Sequence, residues 1–174
     1  DISLTADLCK ANDIKLAVDN TFMSPFGQAP LRLGADVVMH SATKFIGGHS
    51  DLIAGALITN DTDMAEQLQF IQKSGGAIPS PFDCWILLRS TKTMALRVQK
   101  QSDNASELAQ RLRQSSIFDE VIYPGLDTHP QHGLAKKQQL TPEGVPIYGS
   151  MISVKCGSVQ KRDDFLSNLR LFTL

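Results

Sequence analysis

At 174 residues, 42% of them hydrophobic, the chain is long enough to bury a core, and it carries no internal repeat or low-complexity tract. With 17 Lys and Arg against 18 Asp and Glu, the formal net charge is −1, which gives no basis for nucleic acid or an anionic membrane surface as a partner. No apolar span is long enough to cross a bilayer, and no basic segment leads into an apolar signal core, so no membrane association is expected.

The elements alternate. Leu4, Leu8 and Ala11 share one helical face, and Ile14 to Val18 reads as a short buried strand that leaves the sheet at Asp19-Asn20-Thr21. Pro30 to Leu33 makes one helical turn stopped at Gly34, and Asp36 to His40 forms a second strand ending at Ser41. Between Ser41 and the apolar run Leu52 to Ile58 there is no room for a crossover helix, so this third strand is expected to be antiparallel to its neighbour or not adjacent to it. Lys44 therefore falls in a connecting loop.

Met64, Leu68 and Ile71 recur at helical spacing after Asp61 and Thr62, either of which can cap the first turn. Ser74-Gly75-Gly76-Ala77 reads as a glycine hinge, and Ser80-Pro81 as an N-cap with proline at the first helical position before Phe82 to Arg89. A long helix is expected over Thr93 to Gln114, charged on one side and suited to bridging two subdomains. Beyond it lie a strand at Glu120 to Tyr123, a Pro124-Gly125 turn, a helix near Gln131 to Gln139, a strand at Met151 to Val154 and a helix at Arg162 to Leu169. The pattern places a domain boundary between residues 114 and 115, with α/β organisation before it and α+β after it.

The chemistry gathers around Ser41-Ala42-Thr43-Lys44-Phe45-Ile46-Gly47-Gly48-His49-Ser50-Asp51. A lysine following small hydroxyl residues at a strand end can hold an aldehyde cofactor as an imine while the hydroxyls donate to its phosphate. A pyridine ring is a good electron sink only when its nitrogen is protonated, a state favoured by a nearby buried carboxylate, and Asp19 at the end of the preceding strand stands in that position. Read one at a time these residues are ordinary: Asp19 starts a turn, Ser-x-Thr is common loop chemistry, and Lys44 is a solvated lysine. Their combination points to pyridoxal 5′-phosphate. Gly47-Gly48 does not make a nucleotide-binding loop, since the G-x-x-x-x-G-K-[ST] order is absent.

The runs Val18-Asp19-Asn20-Thr21-Phe22-Met23-Ser24-Pro25 and Ser41 to Asp51 resemble the trans-sulfuration family of pyridoxal phosphate enzymes, which includes cystathionine γ-lyase, β-lyase and γ-synthase and methionine γ-lyase. The resemblance continues through Gly76 to Trp85, Tyr123-Pro124-Gly125-Leu126, His129-Pro130-Gln131-His132 and Asn168 to Leu174. Within the family, Asn20 to Pro25, Val121 to His132 and the closing run are most similar to the γ-lyases. The resemblance implies that Lys44 carries the cofactor as an imine and then moves protons, that Asp19 pairs with the pyridinium nitrogen, and that Ser41 and Thr43 bind the phosphate. It implies an aspartate-aminotransferase-like (fold type I) large domain with a mostly parallel sheet over residues 1–114, and the start of a smaller C-terminal α+β domain over 115–174. It further implies a sulfur amino-acid substrate, cystathionine, eliminated at Cγ to cysteine, 2-oxobutyrate and ammonia, in a homotetramer. The reactions of the other family members, and a truncated non-catalytic chain, are the alternatives.

Phe45 stands where many members have tyrosine, Ser90 where glycine is usual, and Tyr148-Gly149-Ser150 where the stretch is richer in glycine. The resemblance places the family's ring-stacking tyrosine and glycine-rich phosphate turn before residue 1, and its serine and arginine for the substrate carboxylate after residue 174. With Asp1 as the first residue and an apolar run at the end, the chain is expected to be an excerpt. Cys9, Cys84 and Cys156 are far apart, odd in number and form no C-x-x-C pair, which fits a reducing compartment, with the cytoplasm as the expected location. His129 and His132 are separated by Pro130 and joined by no further ligand, so no metal site is expected. Phe82, Trp85 and Cys84 read as core, His40 and His49 as structural histidines, and Lys92 and Arg97 as a solvated helix face.

Overall fold

The computed structural model describes residues 1–172. The resemblance noted at Thr173 and Leu174 lies outside the described residues. Helix α1, Ile2–Ala11, starts where Asp1 accepts a hydrogen bond from the Leu4 N–H at 3.1 Å. It docks through Ala6 onto a single 3-10 turn at Pro30–Leu33. That turn ends at Gly34 with φ 98°, and a Cβ there would lie 2.7 Å from the Ala6 methyl. Leu4 and Leu8, the apolar repeat visible in the sequence, point outward instead. The small residue makes the close contact.

Strand β1, Ala17–Asp19, runs parallel to β2, Val37–Ser41, with Asp19 opposite Met39. The predicted start at Ile14 is not realised. Ile14 N–H closes back onto the Cys9 carbonyl at 2.9 Å, and Leu16 donates its N–H to the Asp36 carboxylate at 2.8 Å. These bonds use the backbone groups that would otherwise extend the ladder. Strand β3, Gly55–Ile58, pairs antiparallel with β2, with Ser41 opposite Gly55 and Val38 opposite Ile58. It begins three residues later than its apolar run because Leu52 is buried under the lysine loop and the Ala54 backbone is bonded to Thr43. The sheet order is β1-β2-β3.

After β1 the chain turns sharply into α2, Ser24–Gly27. Asn20, 2% exposed, donates to the carbonyls of Ser24 at 3.0 Å and Gln28 at 2.9 Å, while Gln28 returns a bond to the Asn20 amide oxygen at 2.9 Å. Satisfying these buried polar groups against one another sets the exit direction from β1. Helix α3, Thr62–Gly75, is capped by Asp61 and ends at Gly76 with φ 70°; α4, Pro81–Thr91, is capped by Ser80; and α5 runs from Met94 to Gln114. Phe82 and Trp85 do not enter the core: their rings stack on each other at 5.9 Å on an exposed face. Exposed apolar side chains of β3 and α3 also line an open groove of about 1230 Å³.

A second, two-stranded sheet pairs β4, Glu120–Ile122, antiparallel with β5, Ser153–Lys155. Helix α6, His132–Gln138, lies between them in sequence, and α7, Val159–Ser167, follows. Helix α5 carries both apolar clusters. Its Val98 packs with Met23 and Ile147, and its Ala105 and Ala109 pack with Tyr123 and Leu126. The Tyr123 hydroxyl donates to the Gly149 carbonyl at 2.9 Å, tying β4's exit to the strand approach. Among the described residues no helix is long and apolar enough to cross a membrane.

Candidate active site

Parallel pairing of β1 and β2 brings their C-terminal ends side by side, the place where open α/β sheets gather ligands. Asp19 ends β1 and Ser41 ends β2. One side chain joins them. The Thr21 hydroxyl donates to Asp19 Oδ1 at 2.6 Å and accepts the Ser41 N–H at 2.8 Å, and the Thr21 N–H also donates to Asp19 Oδ1 at 2.9 Å. Thr21 is buried, and sequence reasoning overlooked it. The signal was present as Asp-x-Thr, in which an aspartate accepts from the backbone two residues on.

Asp19 was expected to be buried but is exposed. Its acidity comes from hydrogen bonding. The Thr21 hydroxyl, then the Thr21 N–H, hold the carboxyl below the usual carboxylate range against an opposing effect of burial, with a smaller contribution from His40. Asp19 is therefore ionised at neutral pH. His40 is 2% exposed and its Nδ1 has no hydrogen-bond partner; burial pushes its pKa down while Asp19 pulls it up, with burial the larger effect.

From Ser41 the chain coils tightly. Lys44 N–H donates to the Ser41 carbonyl at 3.1 Å, Gly47 N–H to Ala42 at 2.8 Å and Gly48 N–H to Lys44 at 2.6 Å. Ala42, Ile46 and Leu52 are buried and anchor the coil, leaving the Lys44 side chain exposed. Thr43 pins the coil to the chain entering β3, with its N–H and hydroxyl donating to the Ala54 carbonyl at 3.2 and 3.3 Å and its Oγ1 accepting the Ala54 N–H at 3.0 Å. The Ser41 hydroxyl has no partner among the described residues. A cleft of about 940 Å³ opens beside Lys44, walled in part by Thr43, Phe22, Phe45, Asp51 and Gln101. Phe22 and Phe45 meet edge to face at 6.4 Å.

The four candidates thus form two pairs. Asp19 and Ser41 are joined through Thr21, Thr43 and Lys44 line the cleft, and the Lys44 to Ser41 backbone bond links the pairs. An exposed amine, a hydroxyl without a partner, a second hydroxyl with only a long donor bond and an ionised carboxylate, which accepts, are groups whose chemistry fits pyridoxal phosphate. The buried, orphaned His40 Nδ1 beside Asp19 is a further polar atom in want of a partner.

Arg97 was expected on a solvated face and is not there. Its guanidinium reaches across from α5 to the carbonyls of Phe45 and Ile46, the two residues after Lys44, at 3.0 and 3.1 Å. The other candidate groups have structural partners: His49 Nδ1 lies 2.7 Å from the Gly47 carbonyl, His132 Nδ1 2.8 Å from that of Pro124, and His129 Nδ1 accepts the Gln131 N–H at 3.1 Å. Cys84 is half-buried on α4, and Lys92 is exposed at the end of that helix.

Residues 1–174 match the family model described as Cys/Met metabolism PLP-dependent enzyme. The chain is 43% identical over 174 residues to a cystathionine gamma-lyase of Bacillus subtilis and 44% identical over 174 residues to a cystathionine beta-lyase of Lactococcus lactis, in each case covering all of this chain and 44% of the relative. It superposes with a TM-score of 0.93 on a crystal structure of cystathionine gamma synthase from Xanthomonas oryzae pv. oryzae in complex with aminoacrylate and cysteine, at 36% identity, covering all of this chain and 44% of that one. The chain spans less than half the length of these relatives.

Proposed function

The chain belongs to the Cys/Met metabolism PLP-dependent enzyme family, and from that premise we propose that the whole protein is a trans-sulfuration enzyme acting as a cystathionine γ-lyase, with Lys44, Asp19, Ser41 and Thr43 as its cofactor residues. When bound, pyridoxal phosphate supplies an electron sink for negative charge developing at a substrate's Cα. Asp19, held ionised by Thr21, keeps a proton on the ring nitrogen by charge pairing. Ser41 donates its hydroxyl to the phosphate, and Thr43 does so by exchanging its 3.3 Å bond to Ala54 for a charge-assisted one. The Lys44 amine binds the cofactor covalently at rest. Released from it, the same amine would serve as the general base at Cα and would carry the second proton at Cβ that γ-elimination needs. Phe22 and Phe45 give the cleft an aromatic stretch of wall.

The observation that carries this reading is the Asp19–Thr21–Ser41 chain of hydrogen bonds, which couples a carboxylate kept ionised to the start of the lysine loop. The substrate class is sulfur amino acids, with cystathionine cleaved to cysteine, 2-oxobutyrate and ammonia. We assign residues 1–114 to the larger, cofactor-binding domain and 115–174 to the start of the smaller one, in a cytoplasmic homotetramer. The test is product analysis with the full-length protein and cystathionine: cysteine with 2-oxobutyrate is expected. Homocysteine with pyruvate would make it a β-lyase, and no Lys44-dependent product from cystathionine would remove the cystathionine-lyase reading.

A further inference from the structure

We propose that Arg97 is a positioning residue for Lys44, clamping the carbonyls that follow the lysine to the junction of α4 and α5. The inference rests on the reading of Lys44 as the cofactor-bearing residue. A long, exposed lysine places its amine reproducibly only if the backbone beneath it is fixed. The Lys44 coil bonds to itself through N–H groups, which leaves the carbonyls of Phe45 and Ile46 to be satisfied from outside. Arg97 satisfies both. Its Nη1 donates to Phe45 O at 3.0 Å and its Nη2 to Ile46 O at 3.1 Å, while Nη2 also donates to Ser90 O at 3.0 Å and Nε to Thr93 Oγ1 at 3.1 Å. A planar fork with rigidly spaced donors fixes direction as well as distance, which a lysine ammonium at this position would not.

A second observation comes from the other side of the contact. Gly48, with φ 73°, closes the coil directly against the guanidinium, and a Cβ there would lie 1.8 Å from Arg97 Nη1 and 2.6 Å from Cζ. The space that admits the fork is the space a side chain would take. Gly48→Ala crowds the fork off its carbonyls and also strains the coil's own left-handed backbone, so it probes the seating of the coil as a whole while Arg97→Met probes the fork alone.

The test uses the full-length holoenzyme. Arg97→Met and Gly48→Ala are compared with Ala109→Gly, which loosens the same helix about three turns further on, away from the coil. The readouts are the loss of pyridoxal phosphate absorbance on dialysis, the fraction fixed on Lys44 by borohydride, thermal stability, and kcat against KM. Arg97→Met and Gly48→Ala should each release cofactor at least about tenfold faster than the unaltered protein, with kcat falling more than KM rises, and Arg97→Lys should fall between. Ala109→Gly should retain cofactor to within about twofold despite its own loss of thermal stability. Release by Ala109→Gly as fast as by Arg97→Met would show mere destabilisation and overturn the proposal, as would normal retention in Gly48→Ala or in Arg97→Met. A borohydride adduct on another lysine of the unaltered protein overturns the Lys44 reading itself. An adduct on Lys44 together with normal retention in the variants overturns only the role of Arg97.

Discussion

Replacing Thr21 by valine removes one hydroxyl, keeps the shape, and strikes both ends of the Asp19–Ser41 connection. The Ser41 N–H loses its acceptor at 2.8 Å, and Asp19 loses the shorter of its two bonds, at 2.6 Å. The Ser41 N–H is only half-buried, so leaving it unsatisfied costs about 1–1.5 kcal/mol, the lower part of the range for a buried donor. The carboxylate end is worth less than the usual charged hydrogen bond because Asp19 is exposed and water replaces the hydroxyl, so we discount it to about 0.5 kcal/mol. The expected total is about 1.5–2 kcal/mol, read as a lower urea midpoint with unchanged slope. The largest cause of the lowered Asp19 pKa disappears too, leaving the Thr21 N–H as the main one. The Asp19 pKa should therefore move up toward its ordinary value, shifting to higher pH the point at which activity fails on the acid side. Thr21→Ser, which keeps the hydroxyl, should behave nearly as the unaltered protein. A Thr21→Val protein with the original urea midpoint and the original acid limb would refute the role given to the Asp19–Thr21–Ser41 connection.

Borohydride reduction of the full-length holoenzyme followed by peptide mass mapping should place the cofactor on Lys44, and an adduct elsewhere would refute that assignment. Asp19→Asn should lower turnover by about a hundredfold or more with little change in thermal unfolding, since a neutral amide cannot favour a protonated ring nitrogen; near-normal turnover would leave Asp19 a turn residue. Because burial depresses the His40 pKa, the unfolded chain binds a proton there more readily than the native one. Its contribution to stability is complete above about pH 6.5 and declines as pH falls through that value toward the folded pKa. Urea titrations between neutral and mildly acidic pH should show that decline, and His40→Gln should flatten it. Produced by itself, the 174-residue chain should self-associate through apolar side chains such as Leu57, Ile71 and Ile78, all more than half exposed, and should show no Lys44-dependent lyase activity. A monodisperse monomer by light scattering, or turnover lost on Lys44→Ala, would contradict this.

Local chemistry was legible in the sequence. Ser80 caps a helix, Gly34 ends a turn in the left-handed conformation, the cap at Asp61 was one of two candidates, and Lys44 leaves the strand after Ser41, because each depends on groups a few residues apart; Gly76, read as part of a hinge, ends a helix instead. Loop length left β3 either antiparallel to its neighbour or not adjacent to it, and the structure realises the first. Tertiary structure decided the rest. Strand β1 starts late because Asp36, twenty residues on, captures the Leu16 N–H, and Arg97 faces the lysine coil because carbonyls some fifty residues earlier lack donors. The exposure of Phe82 and Trp85, and of Leu4 and Leu8, departs from their helical periodicity. Periodicity identifies which side chains share a face, but which face meets a neighbour, and which polar group finds a distant partner, depends on where other elements come to rest. Asp19 shows both parts: its place at a strand end was readable from sequence, whereas the buried hydroxyl that bridges it to Ser41 required β1 and β2 to lie parallel and in register.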